Sequence, residues 1–408
     1  MQSKTTESFY TLQFGLVCLS SFLFSASFNM LIPELPAYLT AMGGEHYKGL
    51  IIALFTLTAG ISRPFSGKLT DTVGRVPVMA VGSIVCFLCG FLYPILTTVA
   101  GFLFLRLLHG FSTGFKPTAT AAYVADLVPQ HRWGEAMGVH GVCFSTGLAI
   151  GPAIGSFITS HFSMDVLFYC SSVFALLSIA ILARMKETLP DKQKFSWSLL
   201  RMKRGDIIEW RVIPACIVML MSYIAYGAIL TVIGDWGDHL GIHNKGLFFM
   251  IFTITSLLIR FVAGKASDQY GRVLILKVSL ALLALSLLWI GMAGSAWSLM
   301  GASALYGVAT GMLSPSVTAW TVDLSHQEHR GKAMATMYIS LEAGIGLGAL
   351  LAGWLFISDF SMIPVIFYWC TGISLGALLY LQLAIARHGR KVTTDSRPPA
   401  IPGPCKGD

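Results

Sequence analysis

Apolar residues gather into twelve runs of about 20 positions, each long enough as a helix to cross a hydrocarbon layer of about 30 Å. The first six lie near residues 12–34, 48–66, 78–97, 101–123, 136–160 and 165–185. The second six lie near 212–235, 246–263, 274–294, 297–323, 333–357 and 362–386. Short polar turns separate the runs, and these turns recur. Arg63-Pro-Phe-Ser-Gly-Lys-Leu-Thr-Asp-Thr-Val-Gly-Arg75 returns as Arg260-Phe-Val-Ala-Gly-Lys-Ala-Ser-Asp-Gln-Tyr-Gly-Arg272, displaced by 197 positions. The same displacement carries Gly110 and Gly114 onto Gly307 and Gly311, Asp126 onto Asp323, and Lys48-Gly49 onto Lys245-Gly246.

Six runs per repeat is an even number, so the halves are expected to share one orientation about an axis along the membrane normal. The pattern predicts an all-α membrane protein, with twelve transmembrane helices in two pseudo-symmetric six-helix bundles, residues 1–185 and 212–387. The basic segment 186–211 holds Phe195, Trp197, Leu199, Leu200, Ile207, Ile208 and Trp210 among its charges. It is expected to be a partly helical linker on the inner leaflet. The polar, Pro- and Gly-rich segment 388–408 is expected to be a disordered cytoplasmic tail. Two like halves around a central site suggest transport before any other activity.

Composition sharpens this picture. Of 408 residues, 55% are hydrophobic and 12% charged, with a mean hydropathy of +0.70, whereas a soluble domain carries roughly a quarter charged residues. A water-soluble fold is excluded. The net charge of +8 invites a nucleic-acid partner until the charges are placed. Twenty-two of the 28 Lys and Arg fall in tails and loops of one side, and only Lys48 and Lys245 fall in the opposite loops. That bias reports topology, with both termini in the cytoplasm of a cell (inner) membrane, and no nucleic-acid partner. The first run is too long for a signal peptide and lacks a small-residue cleavage site, so it is expected to remain as a span.

Seven of the eight cysteines lie in apolar runs, and Cys86-Phe-Leu-Cys89 reads as packing, not as a redox or metal pair. His326-x-x-His329 is too sparse a pattern for a metal site. No Walker-type phosphate loop is present. Neither catalysis nor a cofactor nor a metal is expected. One chain is expected to suffice as a monomer, with the bilayer, protons and a small molecule as its partners.

Gly67-x-Leu69-x-Asp71-x-x-Gly74-Arg75 resembles the signature loop between spans 2 and 3 of the major facilitator superfamily. Arg106-x-x-His109-Gly110, followed by Gly114, resembles that superfamily's span-4 motif. Gly147-Leu-Ala-Ile-Gly151-Pro152-Ala-Ile-Gly155-Ser156 resembles the span-5 motif of its twelve-span drug:proton antiporters, with Ser156 in place of a final glycine. In the signature loop, Gly67 and Gly74 are expected to permit tight turning and close approach. Asp71 is expected to face a neighbouring helix N-terminus, and Arg75 to bridge to an acid, Asp126 being the natural partner. With its second copy at Gly264, Asp268, Gly271 and Arg272, the cluster is expected to latch the inner ends while the site faces outward and to separate when it faces inward. Thr72 and Val76 stand where the family commonly has basic residues.

Gly147, Gly151 and Gly155 recur every four residues, which lines one face for close helix approach. Pro152 removes a backbone hydrogen bond and invites a bend. Span 11 keeps Gly344 and Gly348 but has Ala349 for the proline, an asymmetry that by resemblance belongs to exporters.

Charges inside spans are costly and are therefore functional candidates. For proton coupling the first candidate is Glu342, which stands where the first half has Ser145; Glu34 and Asp235 follow. Lys116 or Arg106 is the expected basic partner, and the resemblance assigns Arg106 a part in proton transfer. Asn29, His109, Tyr226 and Tyr338 are candidates for a substrate cavity, which by resemblance spans 1, 4, 7 and 10 would line. Arg63 and Arg260 read as snorkelling residues at inner helix ends. The expected function is secondary active transport by alternating access, as proton-coupled efflux of small amphiphilic molecules. Import of a nutrient such as a sugar, organic acid or siderophore is the alternative. Arg106 and Lys116 tilt the expected cargo toward neutral or anionic molecules.

Overall fold

The computed structural model describes residues 11–129, 132–201, 208–325, 330–356 and 359–395. The first half contains α1 (Leu12–Asn29), α2 (Leu35–Ala41), α3 (Lys48–Thr72), α4 (Arg75–Leu92), α5 (Val99–Asp126), α6 (Trp133–His161) and α7 (Met164–Leu182). The second contains α8 (Ile213–His239), α9 (Gly246–Tyr270), α10 (Arg272–Gly291), α11 (Ala296–Leu324), α12 (Arg330–Leu355) and α13 (Met362–Asp395). The twelve long helices match the twelve apolar runs one for one. The short α2 arises where the first run meets Pro33 and Pro36: the helix stops at Asn29 and restarts with Pro36 in its first turn.

Helix starts are set by hydroxyl caps. Thr98 accepts from Gly101 N–H and Ser295 from Ser298 N–H, which satisfies donors a helix leaves unpaired. These two caps are themselves 197 positions apart, so the repeat extends to the start of α5 and α11. Among the described residues, nine helices are long and apolar enough to cross a membrane by themselves. The apolar stretch of α9 ends at Arg260, and α5 and α11 intersperse small and polar side chains among their apolar ones. Such helices are tolerated where they face protein or a water-filled cavity.

The packing obeys the duplication. In the first half α1 packs on α6 and α7, α4 on α5 and α7, and α3 on α5. In the second, α8 packs on α12 and α13, α10 on α11 and α13, and α9 on α11. Gly110 and Gly114 let α5 press against α3, and Gly307 and Gly311 do the same for α11 against α9; a Cβ at any of the four would strike the partner helix. Gly147, Gly151 and Gly155 seat α6 on α1, while Gly344 and Gly348 seat α12 on α8. Two seams join the halves, α3 against α12 and α6 against α9. Applying the displacement to one seam gives the other.

Outside the bundles, the linker forms 3-10 turns at Trp197–Leu200 and Trp210–Val212 and no α-helix among its described residues. Leu199 and Leu200 rest on the first bundle, whereas Trp197 and Trp210 are exposed. Residues 202–207 and the His326/His329 pair lie outside the described residues. At the C-terminus α13 runs on to Asp395, past the boundary at 387 where a disordered tail was expected. The remainder of that tail lies outside the described residues.

Candidate functional site

Between the halves lies a cavity of about 1000 Å³. Its deep end is formed by Phe28 and Asn29 of α1, Arg106 of α5 and Tyr226 of α8. From there it runs to the ends of α3 and α12 at Lys68, Asp71 and Lys332, on the face that carries the Arg75 and Arg272 turns. Its walls come mainly from α1, α3, α5, α6, α8 and α12. Spans 1, 4, 7 and 10 were expected to line it, and the tenth is corrected here: α11 lines only a side recess of the cavity, through Tyr306, Thr310 and Leu313. The seam helices α3 and α12 stand in the main wall instead.

One ion pair crosses that wall. Arg63 of α3 donates through Nη2 to Glu342 Oε1 of α12 at 2.6 Å, with the two side chains 14% and 9% exposed. The guanidinium lies over the Tyr338 ring, 4.8 Å from its centre, an arrangement that adds cation–π attraction to the charge pair. Arg63 is therefore no snorkelling residue. Three turns of helix separate it from Arg75 at the membrane edge, so its head reaches the partner helix sooner than water. The sequence places it at an inner helix end but does not show which helix stands opposite, so its partner was not foreseen.

The expected partners of Glu342 sit elsewhere. Arg106 is buried, with Nε on Ile51 O at 3.0 Å, Nη1 on Tyr93 Oη at 3.4 Å, and its guanidinium over Phe55. Lys116 is locked inside the first bundle, bonded to Ser20 O at 3.1 Å and to the Ser178 hydroxyl, above the Phe24 ring. It does not reach the cavity, since α5 turns that face toward α1 and α7. His109 is likewise withdrawn, fully buried beside Tyr93 Oη at 3.2 Å and Cys86 Sγ at 3.3 Å. Neither Lys116 nor His109 lines the site. Asn29, Tyr226 and Tyr338 do, and Asn29 donates to Ser25 O at 2.8 Å.

At the opposite face the halves are shut. Lys48 reaches from the first half to Asp235 of the second at 2.8 Å. Lys245 reaches back from the second half toward Glu34 at 3.9 Å and holds Asp238 at 2.9 Å. Ser156 Oγ donates to Glu34 Oε1 at 2.6 Å and accepts from Gly246 N–H at 3.1 Å. Gly246 lies flush on Pro152, and Gly49 on Ala349 and Gly353. Glu34 and Asp235 thus close the far face instead of sitting by Arg106 or Lys116. The serine that replaces a motif glycine supplies a hydrogen bond between the halves. Lys48 and Lys245, the two basic residues of their side, were visible as a repeated pair, but their partners come from unrelated sequence positions.

The signature turn keeps the expected Arg75–Asp126 bridge and differs from expectation in the rest. Arg75 Nε meets Asp126 Oδ2 at 3.0 Å and Nη1 meets Asp71 Oδ1 at 3.2 Å; Arg272 Nε meets Asp323 Oδ2 at 3.4 Å. These bonds stay within one bundle and are intact while the cavity is open at this face, so their formation does not depend on closing it. Asp71 is largely exposed and, among the described residues, caps no helix start. That place belongs to Glu187, whose two oxygens accept from Arg75 and Val76 N–H at 2.9 and 3.0 Å at the start of α4. Gly74 (φ 137°) and Gly271 (φ 87°) make the turns, a backbone region closed to most residues. Gly67, by contrast, lies inside α3 with open space around it, so the turn does not need it. Gly264 and Asp268 fall on α9, but their side chains lie outside the described set.

Glu187→Ala is expected to destabilise the protein by about 1 kcal/mol, the usual worth of a helix N-terminal cap. The measurement is a thermal-unfolding midpoint in detergent, which should fall without any change in cargo affinity.

The sequence profile of the Major Facilitator Superfamily matches residues 17–214 and again 215–405. The quinolone resistance protein NorA of Staphylococcus aureus is 24% identical over 380 residues, 89% of this chain and 94% of that one. Multidrug resistance protein 2 of Bacillus subtilis is 27% identical over 239 residues, 56% of this chain and 59% of that one. Among solved structures, the human organic anion transporter MFSD10 (TETRAN) overlays with a TM-score of 0.71 at 20% identity, covering 90% of this chain and 98% of that one.

Proposed function

This chain belongs to the major facilitator superfamily, a family of membrane transport proteins, and on that premise we propose that it exports small amphiphilic molecules in exchange for protons. The basic face is assigned to the cytoplasm, by the excess of Lys and Arg in its loops. The conformation described is then inward-open, with cargo entering from the cytoplasmic side and the outer end sealed by the Lys48 and Lys245 pairs.

The observation that carries the reading is the Arg63–Glu342 pair. It is a carboxylate in a cavity wall, on the seam that must open and close, bonded to a cation from the other half. Protonating Glu342 would release Arg63 and free the seam; losing the proton would draw the halves together again. A titration that changes the adhesion of a two-state seam couples the proton to the motion. The resistance proteins among the relatives support export, as does the proline present in α6 and absent from α12.

The test uses inside-out and right-side-out membrane vesicles with an imposed pH gradient and a panel of neutral and anionic amphiphiles. Inside-out vesicles with acidic interiors are expected to accumulate a panel member, and an uncoupler to stop it. Accumulation only by right-side-out vesicles would replace this reading with import.

A further inference from the structure

The two seams are related by the 197-residue displacement, yet their charges are not. Arg63 maps onto Arg260, and both line the cavity system. Glu342 maps back onto Ser145, so the arginine of the α6–α9 seam shares its recess with a hydroxyl where its counterpart holds a carboxylate. Among the described residues Arg260 has no ion pair. The recess itself holds about 200 Å³ and opens beside Tyr226 and Leu148, which it shares with the main cavity. Tyr223, Phe252 and Tyr306 supply an aromatic wall. Thr253, only 2% exposed, points a hydroxyl with no partner at this site.

A guanidinium without its acid and a buried hydroxyl without its bond are two vacant positions of complementary kind. A carboxylate accepts from both, and flat apolar surface beside them suits a ring. The charge of the surroundings agrees. Arg63, Lys68, Arg106, Lys332 and Arg260 line the cavity and recess against two carboxylates, Asp71 and Glu342.

We propose that Arg260 is the recognition point for a singly anionic cargo with an aromatic body, its carboxylate taking the place that Glu342 takes beside Arg63. This rests on the cavity being the cargo site, and it does not depend on proton coupling or on the direction of transport. Ser145 sets the specificity by leaving the arginine unneutralised.

Equilibrium binding to purified protein in lipid nanodiscs, with no gradient, tests it using 2-naphthoate and its uncharged amide. The wild type is expected to prefer the acid by about tenfold to a hundredfold, the range for a charge-assisted hydrogen bond. Arg260→Gln should erase that preference by weakening the acid far more than the amide. Ser145→Glu, which copies the arrangement of the other seam, should erase it too and keeps the test decisive if the arginine variant fails to fold. Equal affinities in the wild type, or a preference that survives both substitutions, overturns the proposal. Because nothing is energised, a failure of proton-driven export would leave this result standing.

Discussion

Glu342→Gln is expected to lower pH-driven transport by about 100-fold while exchange of cargo for cargo at equal pH persists. The amide keeps the shape of the carboxylate and one hydrogen bond to Arg63, but it can neither carry a proton nor attract the guanidinium as an ion. Removing one partner of a buried pair costs about 3–5 kcal/mol. This pair borders an aqueous cavity and is 14% and 9% exposed, so the lower end applies, which corresponds to a factor of about 100. Proteoliposomes carrying a pH-sensitive dye report the coupled flux, and labelled cargo reports the exchange. A coupled rate within twofold of wild type would remove Glu342 from the mechanism. Equal loss of both activities would make it a structural residue only.

Replacing Lys48 and Lys245 together by Met is expected to open the far face. Each lysine crosses the junction between halves, at 2.8 Å to Asp235 and 3.9 Å to Glu34. Allowing for partial exposure, each contributes about 2 kcal/mol, so the double variant should move the population on the order of several hundredfold. Spin labels at Tyr47 and His243, one on each half, would read the change as a longer separation. An unchanged distance distribution would show that helix packing at Gly49 and Gly246 closes this face without the charges. The closure should also be indifferent to pH near neutrality. Burial works to lower the Lys245 ammonium, but the Asp238 hydrogen bond and the Glu34 and Asp235 charges outweigh it and hold the group above its ordinary value. A raised lysine keeps its contribution below its ordinary pKa and loses it only as pH climbs through the higher one.

The fold was legible because its signals are long and repeated. Twelve apolar runs and one constant displacement define helices and halves without any knowledge of contacts. The site was legible only in part. Glu342, Asn29 and Tyr226, all of which border the cavity, stood out because charge or polarity inside an apolar run is conspicuous at any depth. Direction around a helix is not conspicuous, which is why His109 was expected in the cavity and Lys116 beside Glu342, although α5 turns both away from it. Partnerships across the seam were hidden more deeply. Arg63 finds Glu342, and Gly246 finds Ser156, at separations that no local pattern encodes. The repeat held the best clue, since Arg63 and Arg260 agree where Glu342 and Ser145 do not.

The sealed far face has a consequence for how dissolved salt acts on the two halves. While shut, the lysine pairs leave little room for counterions: Lys48 and Asp235 are 6% and 15% exposed, and Lys245 and Glu34 are 13% and 10%. Once parted, the same four groups meet bulk electrolyte, where attraction fades beyond about 8 Å at physiological ionic strength. Raising the salt concentration should therefore leave the rate of parting nearly constant and slow the return, so a brackish medium would hold the protein longer with this face parted.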